Sequence, residues 1–257
     1  MTANRRIRSD LARSTADTVT VLGFDLIRDL MGRINLGDMA FLELKARLPD
    51  EAESTVFNAM LLSLVEHGIT PNTLAARLTY VGAPESLQAS VAAGLLGLGS
   101  VFVGSIEGAA RMLQEAMDVP DEPNPETLAA KIVSIRRERR EQIPGLGHPI
   151  HKPVDPRTVR LFQLADENGL SGAYVDLMQL VGQEVSRQTG KTLPINVTGA
   201  IGALASEMEI PWQICRGLGV MARSIGLVGH VLEEMHDPMA WEVWERTARE
   251  SESKDVS

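Results

Sequence analysis

Three of the five histidines in this 257-residue chain stand where an imidazole can do chemistry. His148 lies in Pro144-Gly-Leu-Gly-His-Pro-Ile-His-Lys152, part of a segment running to Pro156 that holds too many prolines and glycines to be helical throughout. His67 closes Val65-Glu-His-Gly68, and His230 follows Gly229 in the last long apolar-periodic stretch. A single histidine more often packs or caps than catalyses. A rigid Gly/Pro loop, however, is a poor setting for a packing residue and a good one for presenting an imidazole beside main-chain N–H groups. The chemistry this suggests for His148 is general acid–base work.

Other chemistries find less support. His148 and His151 are three apart in a proline-broken loop and there is no His-Glu-x-x-His helix, so zinc is only weakly indicated and no metal is expected. Cys215 is the single cysteine, which excludes an internal disulfide and a cysteine-based zinc site, and it has no local partner signature. No G-x-S-x-G elbow occurs. Gly145-Leu-Gly147 lacks the third glycine and the preceding strand of a dinucleotide fingerprint. The Arg/Glu run over 136–141 reads as a solvated helix end, with phosphate contact the alternative.

Helices must position these groups. Aromatic residues make up 4 % of the chain against 11 methionines, so the core is built from Leu, Ala, Val, Ile and Met, which suits packed helices better than a sandwich. Apolar spacing predicts a buried helix over Thr55 to His67, stopped by Gly68, and another opened by Pro84 and Glu85. Amphipathic spacing continues over Ile106 to Met117 and Glu126 to Gln142, separated by the linker Val119 to Pro125. Further helices are expected over Pro156 to Asn168, Ser171 to Thr189 and Asn196 to Glu209, then a long last helix from near Pro211 carrying Arg223 and His230. Strands are at most a short pair near Thr18 to Val21. The net charge of −9 disfavours a nucleic-acid partner, and no run approaches the roughly 20 apolar residues of a membrane span. Met1 to Arg13 is Arg-rich without an apolar core and reads as a solvated extension rather than a targeting signal, so a reduced, cytoplasmic protein is expected.

Gly145-Leu-Gly-His-Pro-Ile-His-Lys-Pro-Val-Asp-Pro-Arg157 resembles the G-x-G-H-R-V-x-K-x-x-D-P-R signature of the citrate synthase superfamily. Four more blocks agree in order. Glu66-His67-Gly68 is similar to its upstream histidine block, and Gly99 to Glu107 to the helix-turn that carries the synthases' first catalytic histidine. Pro194 to Gly199 resembles the N-V-D block, and Ala222 to His230 the A-R-x-x-G-x-x-x-H block. The short chain, and Phe102 where a synthase has histidine, make it most similar to the citryl-CoA lyase branch, including the C-terminal module of ATP-citrate lyase.

That resemblance implies an all-α, citrate synthase-like, two-lobed helical fold: a large lobe over about 1–110 and 208–250, a smaller inserted lobe over about 111–207, and a frayed tail over 251–257. It implies a homodimer or higher homo-oligomer, no tightly bound cofactor, and coenzyme A thioester as substrate, with an acyl-CoA and a small carboxylate as ligands. The reaction would be retro-Claisen cleavage of a 3-hydroxy-3-carboxyacyl-CoA such as citryl-CoA to acetyl-CoA and oxaloacetate, or the reverse condensation. The hydroxyl proton is one an imidazole is suited to take; His148 would face the hydroxyl that becomes the carbonyl oxygen, and His67 would hold a carboxylate end or the carbonyl. Arg157 and Arg223 would clamp carboxylates beside Phe102, while Gly145, Leu146, Gly147 and Lys152 would contact CoA. Thr198 falls where the family has a proton-transferring aspartate, and a threonine hydroxyl is far too weak an acid for that role. Pro149 falls where the family has arginine. Glu107 is a candidate displaced acid. The alternatives are a non-catalytic CoA-binding or regulatory homodimeric relative, and a helical dimerisation domain without a ligand. Against the last stands the cost of burying cations that have no anionic partner.

Overall fold

Prolines and side-chain caps set most of the helix starts. The computed structural model describes residues 8–119 and 124–252. The described chain opens with a three-stranded antiparallel meander, β1 (Ala12–Ser14), β2 (Val19–Val21) and β3 (Phe24–Asp25), with Arg13 opposite Thr20 and Val21 opposite Phe24. A π-helical turn, Leu26–Leu30, follows and packs Leu30 with Val21 and Leu42 in a small satellite cluster.

Asn35 caps α1 (Leu36–Lys45), and a full Asp50/Glu53 capping box opens α2 (Glu51–Val65). Pro71 is the first residue of α3 (Pro71–Gly82). Next come α4 (Leu87–Leu96), the π-helical turn Gly99–Val103, and α5 (Gly104–Met117). Asn124 and Pro125 open α6 (Pro125–Glu138). After the Pro/Gly loop, Asp155 and Pro156 open α7 (Pro156–Glu167), followed by α8 (Ala173–Thr189) and α9 (Val197–Glu207). The long α10 (Trp212–His236) and then α11 (Ala240–Glu252) end the described chain.

α9 is the centre of the core. Its composition, Val-Thr-Gly-Ala-Ile-Gly-Ala-Leu-Ala-Ser-Glu, is apolar or small all round, and every residue from Gly199 to Ser206 is buried. α2, α5, α7, α8 and α10 surround it. Gly202 lets α5 approach, since a Cβ there would lie 2.8 Å from that of Ala109. No single described helix is long and apolar enough to cross a membrane.

Several boundaries differ from the sequence reading for local reasons. The helix expected over 55–67 starts at Glu51, where the capping box satisfies its first N–H groups, and it ends at Val65, leaving His67 on an extended strap; Leu62 is 73 % exposed, so the helix is not buried all round. α4 starts after Ser86 rather than at Pro84, and α6 stops at Glu138, with Arg140 in the left-handed region. The last stretch is two helices, broken at Asp237 and Pro238. Helices α1 and α3 and the third strand were not expected. Residues 120–123 of the expected linker, 1–7 of the Arg-rich start and 253–257 of the tail lie outside the described residues, whereas Ser251 and Glu252 belong to α11.

Gly199 is the tightest point of the fold's central helix: a Cβ there would fall 2.6 Å from the carbonyl oxygen of Gly145 and 2.9 Å from its Cα. Backbone on both sides leaves no flexible side chain to move away. Gly199→Ala is expected to cost about 2–3 kcal/mol in urea unfolding. Gly190→Ala, at an open left-handed helix end with nothing within 4 Å, is expected to cost only about 1 kcal/mol.

Candidate active site

The loop that carries His148 is bolted to the start of α9 by main-chain hydrogen bonds. Asn196 N–H donates to the Gly145 carbonyl at 2.9 Å, and Gly147 N–H donates to the Pro194 carbonyl at 2.8 Å. Leu146 pairs with Ile195 as an antiparallel bridge. Gly145, at φ +85°, is required here because a Cβ would fall 2.5 Å from Gly199 Cα. The Asn196 side chain works in both directions. Its Nδ2 donates to the Gly147 carbonyl at 2.7 Å, while Oδ1 caps α9 by accepting from the N–H groups of Thr198 and Gly199. Oδ1 also accepts the Thr198 hydroxyl at 2.6 Å.

Asp155 is the second bolt. It is fully buried and caps α7, with Oδ1 accepting from Arg157 N–H at 3.1 Å and Nε at 3.1 Å. Its Oδ2 accepts from Arg157 Nη2 at 2.9 Å and from Val197 N–H at 3.0 Å. Burial pushes its carboxyl up, but the hydrogen bond and charge of Arg157, with the two main-chain donors, outweigh that and hold it below its ordinary 3.8.

His148 Nδ1 accepts from the N–H groups of Ile150 at 3.1 Å and His151 at 3.0 Å. The neutral ring therefore carries its proton on Nε2, which lies 3.5 Å from Arg157 Nη2. In that neutral form His148 is a hydrogen-bond donor at Nε2. Its ring centre is 5.7 Å from that of His67 and 4.4 Å from that of His151. Burial pushes His67 below 6.5, and the nearby Arg157 and Arg223 push it further; burial and His151 lower His148 likewise. Both rings are neutral at pH 7. Nitrogens of His67, His148 and His151 lie within 4.8 Å of one another, a spacing open to a metal ion. Binding one through His148 Nε2 would move the proton to Nδ1, against two main-chain donors, and beside Arg157. The cluster suits an oxygen ligand better than a cation.

These groups line a cleft of roughly 290 Å³, which brings together His67, His148, Arg157, Arg223, Thr198 and Phe102, with Gly147 at its edge. The facing wall is Leu64, Leu98, Val101 and Val103. Arg223, from α10, has Nε and Nη1 sealed from water with no hydrogen-bond partner among the described residues. Burial lowers its basicity, with Glu66 opposing and Arg157 adding to the effect. No carboxylate lines the cleft among the described residues. Glu107, the candidate displaced acid, instead pairs with Arg216 at 2.9 Å and lies outside it. A neighbouring groove includes Leu146, Gly147, His148 and Pro149, whereas the exposed Lys152 lines neither space. Burial pushes the Cys215 thiol up to about 12, so it is no nucleophile.

Sequence reading missed Asp155, Asn196 and Asn72 as organisers of this site. The first two were visible as helix-capping types, Asp155 directly before a proline. Asn72 lines the cleft with its Nδ2 buried and unpaired, and its Oδ1 accepts the Thr70 hydroxyl at 2.5 Å. Nothing local marks it. His230 stands apart from the cleft: Nε2 meets Glu66 Oε2 at 3.1 Å, and Nδ1 meets the buried Arg77 at 3.0 Å.

Asp155→Asn leaves Arg157 without its counter-charge and is expected to destabilise the fold by about 3–5 kcal/mol. Because the folded carboxyl is held below 3.8, its contribution is complete above that value and lost as pH falls through the lowered one. The variant's urea midpoint should accordingly lose part of the wild-type fall in stability below pH 4.

Residues 33–246 match the family described as citrate synthase, C-terminal domain. Over 247 residues the chain is 29 % identical to a probable ATP-citrate synthase of Dictyostelium discoideum, covering 89 % of this chain and 38 % of that protein. It is 30 % identical to the probable ATP-citrate synthase subunit 1 of Schizosaccharomyces pombe, covering 77 % of this chain and 34 % of that one. The chain thus spans little more than a third of the length of these curated relatives. Citryl-CoA lyase from Hydrogenobacter thermophilus superposes with a TM-score of 0.84 at 34 % identity, covering 98 % of this chain and 92 % of that one. ATP citrate lyase from Methanothrix soehngenii, in complex with citrate and coenzyme A, shares the fold, with a TM-score of 0.77 at 24 % identity over 90 % of this chain and 39 % of that one. The all-α fold, the ordered motif blocks and the family match agree: the chain belongs to the citrate synthase family, and its structure is similar to that of citryl-CoA lyase.

Proposed function

We propose that this chain is a citryl-CoA lyase-like enzyme, acting by retro-Claisen cleavage or condensation on a 3-hydroxy-3-carboxyacyl-CoA. The observation that carries this reading is the Arg223 guanidinium, whose buried Nε and Nη1 have no partner among the described residues, in the same cleft as the Nε2–H of neutral His148. One is a site for a carboxylate, and the other for the oxygen that is hydroxyl in the thioester and carbonyl in the product. His67 lines the cleft as a neutral ring with no hydrogen bond to the described chain, and it is the group that takes the hydroxyl proton. As the C–C bond breaks, its electron pair moves to the methylene carbon as the thioester enolate. Thr198 holds its proton toward Asn196 and no carboxylate lines the cleft, so water protonates that carbon. The CoA portion lies along Gly145, Leu146 and Gly147, beside the neighbouring groove.

An acyl-CoA panel assayed in both directions with product mass analysis tests this reading. His148→Ala should lower kcat/KM by about 10²–10⁴-fold. CoA binding by calorimetry without turnover of any thioester would favour the non-catalytic alternative instead. Because both His67 and His148 are held below 6.5, the rate should be level above pH 7 and fall only well below 6.5, as His67 gains a proton and ceases to be a base. Thr198→Asp places a carboxylate at the α9 N-terminus and should raise citryl-CoA cleavage about tenfold or more. An unchanged rate would remove Thr198 from the proton-transfer position.

The second proposal is a homodimer. Ile225, Val228, Leu232 and Met235 form an exposed apolar stripe on α10, with exposed Leu62 on α2 and exposed Trp241 and Trp244 on α11. A second copy of this chain covers such a face. Sedimentation should give twice the chain mass, and Leu232→Asp should give monomer.

A further inference from the structure

We infer that the substrate bears a single carboxylate, on the hydroxyl-bearing carbon, and an uncharged apolar substituent where citryl-CoA has its second carboxylate arm. This rests on the retro-Claisen reading above. Among the described residues the cleft lining contains two permanent charges, Arg157 and Arg223, and no acid. Arg157 is already answered: both oxygens of the fully buried Asp155 accept from its Nε and Nη2. Arg223 is not, because Glu66 acts on it only through space while its own carboxylate is held by His230. Of the two guanidiniums lining the cleft, one therefore already has a carboxylate bonded to it, and one substrate carboxylate matches the other. A second would be desolvated without a counter-ion.

The surface left for the second arm points the same way. Leu64, Leu98, Val101, Phe102 and Val103 form that wall, and the polar side chains at its margin, such as Thr70 and Asn72, are neutral. The π-helical turn Gly99–Val103 delivers three of these apolar side chains together. An alkyl substituent gains from burial there, by about fourfold in affinity per methylene, and a carboxymethyl group loses. The reaction is R–C(OH)(COO⁻)–CH₂–CO–SCoA giving R–CO–COO⁻ and CH₃–CO–SCoA. The hydroxyl proton passes to His67 and on to solvent, the C–C electron pair goes to the methylene carbon, and that carbon takes a proton from water. The product pair is a 2-oxo acid with an apolar side chain and acetyl-CoA.

The test compares thioesters with R as methyl, propyl and the charged carboxymethyl on the full chain. The propyl compound should be cleaved with a kcat/KM at least tenfold above the carboxymethyl one. A preference for carboxymethyl would overturn the inference while leaving the retro-Claisen reading intact. If no thioester turns over, that reading fails, and ligand binding decides the inference separately. With CoA present, 2-oxopentanoate should raise Tm more than oxaloacetate does, and an equal or larger shift with oxaloacetate would overturn it. Val101→Arg adds a cation at a position 80 % exposed, where folding is little affected, and should move the propyl-to-carboxymethyl ratio by tenfold or more toward carboxymethyl. An unmoved ratio would also count against the proposal.

Discussion

The site depends on one buried carboxylate. Asp155 is removed from water and remains ionised because four donors converge on it: two side-chain nitrogens of Arg157, the Arg157 main chain and the Val197 main chain. Each donor belongs to a part of the molecule that frames the cleft. Arg157 faces the ligand space, the α7 start ends the Pro/Gly loop, and Val197 begins the central helix. A carboxylate that is fully buried and multiply bonded is costly to leave half satisfied, so it enforces a single arrangement of the three. The glycine contact between Gly145 and Gly199 then fixes how close the loop lies to α9.

The same logic settles the protonation states in the cleft. Burial makes the neutral form of His67 and His148 the cheaper one, with Arg157 adding to the effect on both and Arg223 to that on His67, and two main-chain N–H groups decide which nitrogen of His148 holds the proton. Sequence inspection suggests that a histidine in a Gly/Pro loop is reactive, but whether it gives or accepts a hydrogen bond depends on where the loop's own amides point. Here they occupy Nδ1. Donating a hydrogen bond to an oxygen and accepting that oxygen's proton are complementary tasks, and one imidazole nitrogen in one tautomer cannot perform both.

Much of this was legible from the chain because it rests on strong local chemistry. Proline at the first turn, apolar spacing and the Pro/Gly loop place α5, α7, α8, α9 and α10 to within a few residues. The missed helices lack that clarity. α3 buries Asn72, Thr73 and Arg77 beside Ala76, so its inward face does not look apolar, and α1 buries only Gly37, Phe41 and Leu42. Pairings made by distant segments were invisible as well. Nothing near Glu107 in the sequence marks Arg216, which α10 brings against it. Asp155 sat unnoticed in the motif because its role as a buried hub needs Val197, 42 positions away.

α10 explains why an anion site and a displaced histidine strap occur together. Arg223 and His230 are seven residues apart, two helical turns, and so lie on one side of the helix. Arg223 enters the cleft, while His230 holds Glu66, the residue immediately before His67. His230 is itself held by Arg77, whose guanidinium also bonds Glu233 and Glu234, and Glu234 in turn caps the start of α11 by accepting from Met239 and Ala240 N–H. Gly226, between the two, lets α10 press against the strap, for a Cβ there would lie 2.2 Å from the Val65 carbonyl oxygen. The strap has left the α2 helix and has no ladder of its own, so its position is borrowed from α10. A shift of α10 would carry the Arg223 guanidinium and the support for the His67 imidazole in the same direction, which keeps their spacing constant even though they come from segments about 160 residues apart.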